Sequence, residues 1–176
     1  KAKPWNWKLV SRHKSFAPSV EVLALSKDFD LDWQYLSKRT NLNPTKEILA
    51  KFEEKWDWQS ITKNPRINFN DIDFIERFVD KWNWRFICES GKLSINNEIL
   101  SKFKVHLEWD VISSNTNVQF TKEIIQEFKQ YWNWSNLKAN KRVKELLGSY
   151  VEEVILNSPK LTFIDKIEQQ SSQWKG

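Results

Sequence analysis

The sequence predicts an all-α fold: an α-solenoid of about six short helix–turn–helix repeats, each of 25 or 26 residues, with a C-terminal helical cap. A Trp-x-Trp pair, or a Leu-x-Trp variant, returns six times at gaps of 25 or 26 residues, and the apolar residues between pairs follow helical spacing. Such a period is typical of arrays in which each unit buries its apolar face against its neighbours. Positions are counted from the second tryptophan of each repeat: Trp7, Trp33, Trp58, Trp84, Trp109 and Trp134.

The first helix of each repeat, helix A, is predicted to begin at the second tryptophan. Asn and Asp are preferred helix N-caps, and the preceding residues are Asn6, Asp32, Asp57, Asn83, Glu108 and Asn133. An aliphatic residue at position +3 would form a hydrophobic staple with the first tryptophan, as Ile87 would with Trp82. Ten of the eleven tryptophans fall in the pairs, so we expect them in the core rather than on a platform for stacking bases.

The second helix, helix B, is predicted to begin after a polar residue at position +12. An apolar pair follows this residue closely, as Ile48 and Leu49 follow Thr45. Helices this short are marginal in isolation, so stacking between repeats must hold them. The predicted caps of helix B are Thr45, Asn70, Asn96 and Thr121, and Ser19 is the small polar residue at this position in repeat one.

The repeat pattern fades after Val143, and we predict a solenoid over residues 1–145 and a capping region over residues 146–176. Residues 145–156 have the pattern of an amphipathic helix, and Thr162 is predicted to cap a last helix. A terminal unit of this kind covers the last open apolar face of an array.

Composition and motifs argue against several classes of function. The single cysteine, Cys88, lies at position +4, where other repeats have Ser or Thr, so it is predicted to be a small buried helix residue. The lack of paired cysteines, of a signal-peptide pattern and of a membrane-length apolar run predicts an intracellular, cytoplasmic protein without a membrane partner. The two histidines, His13 and His106, lie at different repeat positions, and no catalytic motif is present. We therefore expect no enzymatic activity, metal, cofactor or small-molecule substrate.

Basic residues concentrate at positions +4 to +8, which form the end of helix A and the turn to helix B, the A–B turn. These positions contain ten basic residues and one acidic residue, Glu89. In a solenoid these positions line one edge, and we expect their side chains to project from the turns and contribute little to packing. The candidate nucleic-acid-binding residues are Arg12, Lys14, Lys38, Arg39, Lys63, Arg66, Lys92, Lys138, Lys141 and Arg142.

Two interpretations of this basic edge stay open. Helix C-termini favour Lys and Arg because of the helix dipole, so repetition alone would produce a basic stripe. Phosphate binding also requires aligned Lys and Arg side chains. Repeat five has only Ser, Asn and Thr at residues 113–117 and interrupts the stripe.

Residues 56–67, which read WDWQSITKNPRI, resemble Trp-rich repeats of the form WDWxxLSxNPxI. Such repeats occur in largely uncharacterised proteins of giant DNA viruses and of bacteria. The resemblance covers about residues 3–145, where residues 3–7 are similar to the KPWDW opening of these units and repeats two and five depart from it at Leu31 and Leu107. It implies a repeat type and assigns no catalytic residue.

The sequence thus predicts a non-enzymatic repeat scaffold whose basic A–B edge binds an acidic macromolecule. Nucleic acid is the favoured partner, and an acidic protein is a further candidate. The alternative is a protein-interaction or accessory module that positions a partner or an attached effector domain.

Overall fold

The structure is a computed structural model of the chain, and it describes residues 5–16, 18–25 and 29–158. Within these ranges every regular element is helical, which confirms the predicted all-α class. A 3₁₀ turn at Glu53–Lys55 follows the fourth helix. The helices are Trp7–Arg12 (α1), Val20–Leu25 (α2), Trp33–Ser37 (α3), Lys46–Lys51 (α4), Trp58–Thr62 (α5), Ile72–Arg77 (α6), Trp84–Ser90 (α7), Asn97–Phe103 (α8), Trp109–Ser114 (α9), Lys122–Glu127 (α10), Trp134–Ala139 (α11) and Lys141–Leu156 (α12).

The repeat pattern of the sequence is visible in the helix order. The odd-numbered helices α1 to α11 are the A helices, and each begins at the second tryptophan of a repeat. The even-numbered helices α2 to α10 are the B helices. The chain divides into two compact units, residues 1–87 and 88–176. Consecutive A helices pack on each other within a unit: α3 contacts α1 and α5 in the first, and α11 contacts α9 in the second.

Short polar side chains cap most A helices as predicted. Asn6, Asp32, Asn83 and Asn133 each accept a hydrogen bond from the backbone N–H three residues later, at 2.8–3.1 Å. The prediction is wrong for Asp57, whose carboxylate accepts from the Ser60 hydroxyl at 2.7 Å instead of from the backbone. Repeat three has a hydroxyl at position +2, and this competing donor takes the carboxylate. Glu108 also forms no capping bond with its longer side chain.

Helix B is capped at the predicted residue in three repeats and at the equivalent Ser19 in repeat one. Thr45, Asn96 and Thr121 accept from the N–H groups of Ile48, Ile99 and Ile124, and Ser19 accepts from that of Val22. The prediction is wrong in repeat three, where Asp71 rather than Asn70 caps α6 by accepting from the Phe74 N–H at 3.0 Å. Repeat three has 26 residues, and its helix B begins one position later than in repeat two.

Tryptophan contacts recur between consecutive repeats of a unit. Where the next repeat begins with a tryptophan and not with Leu31 or Leu107, the second tryptophan of one repeat packs edge-to-face on it, with ring centroids 4.8–5.3 Å apart. Such aromatic pairs stabilise by about 0.5–1.5 kcal/mol beyond the area they bury. Most of the paired tryptophans are buried or half-buried, as predicted for core residues. Trp5 departs from this expectation at 74% exposed, because no repeat packs on it within the described residues. The edge-to-face pairs are Trp33–Trp56, Trp58–Trp82 and Trp109–Trp132.

A buried hydroxyl at position +4 provides a second link between repeats. Each such hydroxyl donates to a backbone carbonyl of its own helix. Each also accepts from the backbone N–H of the residue before the next repeat's second tryptophan, at 2.9–3.1 Å. The side chain therefore satisfies an N–H that lies just outside a helix and would otherwise be buried without a partner. The four pairs are Ser11 with Asp32, Ser37 with Asp57, Thr62 with Asn83, and Ser113 with Asn133.

Cys88 occupies the same position in the second unit. Its thiol is buried, as predicted, and it accepts from the backbone N–H of Glu108. Burial is the main cause that raises the pKa of the thiol to about 11, and the nearby carboxylates of Glu108, Asp110 and Glu89 add to it. The thiol is therefore the structural equivalent of the hydroxyl in the other repeats.

We expect the free energy of unfolding to fall by about 2–3 kcal/mol between pH 9 and 11, because a raised pKa means that the folded thiol binds its proton more tightly than the unfolded thiol. This contribution is fully present below the ordinary thiol pKa and is lost as the pH rises through the folded value. Urea unfolding at pH 8 and pH 11 measures it. The control is Cys88→Ser, which keeps an acceptor but does not titrate. Equal losses in both proteins would contradict the prediction.

Gly91 allows the A–B turn of repeat four to pass close to that of repeat five. Its φ is +67°, a conformation that residues with a side chain rarely adopt. A Cβ at this position would lie 2.8 Å from the side-chain nitrogen of Asn117. The backbone conformation therefore favours glycine, whereas the Asn117 side chain could move aside for a Cβ.

Candidate nucleic-acid interface

The A–B turns of the first unit are joined by hydrogen bonds. The Arg39 guanidinium donates to the carbonyls of Ser11, His13 and Lys14 at 3.0–3.3 Å. The Arg66 Nε donates to the Thr40 carbonyl at 3.3 Å. The turns of repeats one, two and three therefore lie side by side, and we call this surface, formed by residues 11–16, 38–45 and 63–70, the turn edge.

Arg39 and Arg66 do not project freely, which corrects the expectation from the sequence. Both hold one turn against the preceding turn, because that turn presents carbonyls where a guanidinium can reach them. A carbonyl carries no net charge, so these bonds leave the positive charges of both arginines uncompensated. The turn edge therefore contains two fixed cations whose positions are set by packing.

Arg12 is neutralised by an acid of the next repeat. Its Nη2 and Nε lie 2.5 and 2.7 Å from the Asp32 Oδ2. The pKa of Asp32 is lowered, first by the hydrogen bond from the Tyr35 backbone N–H and then by Arg12. The Asp32 carboxylate therefore caps α3 and binds Arg12 together, and the charge of Arg12 is not available to a polyanion.

Three lysines of the turn edge are exposed and have no carboxylate within ion-pair distance among the described residues. We call Lys14, Lys38 and Lys63 the lysine row. The only contact found for one of their ammonium groups in the described chain is that of Lys63, whose Nζ lies 6.0 Å from the Phe86 ring centroid. Long exposed lysines without ion pairs can approach an anion without first breaking a salt bridge.

A cleft of about 240 Å³ lies between the turns of repeats two and three. Three of its lining residues are basic, the others are uncharged, and no carboxylate lines it. Asn64 also lines the cleft, and its side-chain amide donates to the carbonyls of Arg39 and Leu42 at 3.1 and 3.4 Å. The lining of the cleft therefore includes basic residues and no acidic residue. Its polar and basic lining includes Lys38, Arg39, Thr40, Ser60, Lys63 and Asn64.

The four predicted residues of the second unit do not form a comparable row. Lys141 and Arg142 lie in the first turn of α12 and not in an A–B turn, because only Asn140 separates α11 from α12. Arg142 donates to the Thr116 carbonyl at 3.2 Å, and Lys138 lies 3.7 Å from the Glu152 carboxylate. Lys92 is half-buried. The candidate interface is therefore confined to the turn edge of the first unit.

Sequence reasoning missed a recurring asparagine at position +6. Asn64, Asn115 and Asn140 each donate from the side-chain amide to carbonyls of the preceding turn. The signal was present, since Asn returns at this position in three repeats. Its role depends on carbonyls 22 to 27 residues earlier in the chain, which the local pattern does not reveal.

The described residues show little that would support other chemistry. They contain no group of three or more His, Cys, Asp or Glu side chains that could hold a metal ion. The His13 imidazole is part of its own turn, where Nδ1 accepts from the Ser15 backbone N–H at 3.2 Å. None of the helices in the described ranges has the length and apolar character needed to cross a membrane.

Comparison of the chain with protein-family models, with curated proteins and with solved structures finds no match.

Proposed function

We propose that this chain is a repeat scaffold of the α-solenoid type that binds nucleic acid through the turn edge and catalyses no reaction. The observation that carries the proposal is the row of exposed lysines beside fixed arginines on three consecutive turns. Nucleic-acid affinity comes largely from Lys and Arg contacts to phosphates, which release counterions from the strand.

The α-solenoid assignment is supported by links that recur with the sequence period. Within each unit, the edge-to-face tryptophan pair recurs where the next repeat begins with a tryptophan, and consecutive repeats share the bond to the position +4 side chain. A contact that returns with each repeat is what stability by nearest-neighbour stacking requires.

The spacing of the turn edge favours nucleic acid over an acidic protein. Packed helices lie about 8–10 Å apart, so equivalent positions of stacked A helices recur at about that interval. A nucleic-acid strand carries one phosphate for about every 3.4 Å of rise and offers charge opposite each turn in any register. An acidic protein would need carboxylates at a matching spacing.

A protein-interaction module is the second candidate, and a different surface supports it. Trp5 and Leu9 are 74% and 62% exposed in repeat one. Together with Val10 and Phe16 they border a shallow, mostly apolar depression of about 600 Å³. Exposed apolar patches of this kind are typical of protein contacts. Under this alternative, Trp5→Ala and Leu9→Ala would abolish partner binding, and nucleic acid would not bind.

The experiment is a binding titration of single- and double-stranded DNA and RNA at several salt concentrations, with wild type and with Lys14→Glu, Lys38→Glu and Lys63→Glu combined. We expect the triple variant to weaken binding at least about tenfold and to reduce the slope of log affinity against log salt by roughly 2–3, one phosphate contact per lysine. Its melting temperature should hardly change, because the three side chains are exposed.

The matched control combines Lys51→Glu, Lys55→Glu and Lys104→Glu. These three lysines are exposed, lie outside the A–B turns and give the same change in net charge. Equal losses for the two triple variants would show that binding reflects net charge alone. Absence of wild-type binding to any nucleic acid at low salt would overturn the proposal.

A further inference from the structure

We propose that the cleft between the turns of repeats two and three is a seat for one phosphate group. This inference rests on the proposed function of the turn edge, and it names the chemical group that the edge holds most tightly. The seat is formed by Lys38 and Lys63, with Thr40 as an uncharged donor.

The charge around the cleft suits an anion. Lys38 and Lys63 hold equivalent positions in two consecutive repeats, and both line the cleft. Arg39 also lines the cleft, but its guanidinium donates to the carbonyls of Ser11, His13 and Lys14 and so serves the turn of repeat one. Ser60 donates its hydroxyl proton to Asp57, whose carboxylate is not among the lining residues. The lysines and the Thr40 hydroxyl are therefore the donors that an anion in the cleft would meet.

The size of the cleft suits a phosphate group rather than a larger ligand. Its volume is about 240 Å³, whereas pockets for drug-sized ligands span about 300–1,000 Å³. A phosphate group fits within this volume.

The backbone that carries the seat is fixed before any ligand binds. The Asn64 amide ties its own turn to the Arg39 and Leu42 carbonyls, and Arg66 binds the Thr40 carbonyl. The Ser37 hydroxyl accepts from the Asp57 backbone N–H at 2.9 Å. Binding would therefore order only the two lysine side chains, and a preorganised site loses less affinity to ordering.

Lys14 supplies an internal comparison. It belongs to the lysine row and is exposed like Lys38 and Lys63, but it does not line the cleft. A charge at the rim of an interface acts mainly on the association rate and its salt dependence, whereas a charge in direct contact acts on dissociation. A comparison of Lys14 with Lys38 and Lys63 therefore distinguishes a phosphate site in the cleft from a diffuse basic surface.

The experiment uses the full chain and the single variants Lys14→Gln, Lys38→Gln and Lys63→Gln, which each remove one positive charge. Dissociation of a labelled single-stranded DNA and binding of inorganic phosphate, the latter at constant ionic strength, are measured. We expect Lys38→Gln and Lys63→Gln each to speed DNA dissociation about tenfold and Lys14→Gln less than about threefold. Inorganic phosphate should compete with DNA, and its binding should depend on Lys38 and Lys63 but not on Lys14.

The outcomes separate the seat from the proposed function. Equal effects of all three variants on DNA, without phosphate binding, would overturn the seat and leave a diffuse nucleic-acid edge. Binding of inorganic phosphate through Lys38 and Lys63 without any binding of DNA or RNA would support the seat and overturn the proposed function. Binding of neither probe would overturn both. Circular dichroism of each variant confirms that the helices are intact.

Discussion

Replacing Trp82 with alanine should lower the free energy of unfolding by about 3–5 kcal/mol, the range found for buried aromatic residues in cores. Trp82 is 5% exposed. Its indole N–H donates to the Ile75 carbonyl at 2.9 Å, and its ring lies within 6.0 Å, centroid to centroid, of four aromatic rings. The substitution would remove the common partner of these rings and one of the two hydrogen bonds to the Ile75 carbonyl, which also accepts from the Phe78 N–H at 3.2 Å. The four rings belong to Trp58, Phe69, Phe74 and Phe78.

Two variants test this explanation. Trp82→Phe keeps an aromatic ring but loses the indole donor, so we expect a smaller loss than for alanine. Trp5→Ala removes the corresponding tryptophan of repeat one, which is 74% exposed, and should change the unfolding free energy by less than about 1 kcal/mol. Urea unfolding followed by far-ultraviolet circular dichroism measures all three. A loss for Trp5→Ala as large as for Trp82→Ala would mean that burial against the neighbouring repeat is not the cause.

The helical class and much of the core could be predicted because they depend on local periodicity. A tryptophan every 25 or 26 residues, with apolar residues at helical spacing, predicts where the helices begin and which face they bury. The same comparison of equivalent positions assigned Cys88 to a buried helix position, since four other repeats have Ser or Thr there. The local pattern does not reveal that the Cys88 thiol accepts a bond from the Glu108 N–H, because Glu108 belongs to the neighbouring repeat.

The sequence alone could not predict which basic residues of this edge bind carbonyls and which stay exposed, and the reason is physical. A guanidinium at the end of helix A can bind a phosphate or the carbonyls of the preceding turn, and both roles favour arginine at the same position. Only the three-dimensional arrangement shows that Arg39 and Arg66 take the second role while Lys38 and Lys63 stay exposed. Sequence reasoning therefore found the candidate surface but overstated the number of side chains available to a ligand.

The start of α12 shows a second limit of prediction from the sequence. Positions +4 to +8 are predicted to end helix A and form the A–B turn, which places residues 138–142 of repeat six in such a turn. Asn140 instead caps α12, whose next residues, Lys141 and Arg142, are better suited to a helix interior than the Pro65 that follows Asn64. The predicted boundary between residues 145 and 146 consequently falls inside α12. The predicted last helix at Thr162 lies outside the described residues.

Asn140→Asp should lower the free energy of unfolding by about 3–5 kcal/mol, although the two side chains have almost the same shape. Asn140 is 4% exposed. Its amide nitrogen donates to the Ser113 and Asn115 carbonyls at 3.0 and 3.3 Å, and its amide oxygen accepts from the Arg142 and Val143 N–H groups at 3.0 and 3.3 Å. A carboxylate keeps both capping bonds but has no donor. Its second oxygen would face two carbonyls in a site closed to water.

The matched control is Asn133→Asp in the same unit. Asn133 caps α11 through its side-chain oxygen, which accepts from the Asn136 N–H at 3.0 Å, and among the described residues its amide nitrogen donates to no carbonyl. Asp and Asn are about equally good caps, so this variant should change the unfolding free energy by less than about 0.5 kcal/mol. Urea unfolding at neutral pH compares the two variants. If Asn140→Asp proves as stable as Asn133→Asp, the amide bonds between turns contribute little, and stacking of the A helices must rest on the apolar contacts and the position +4 hydroxyls.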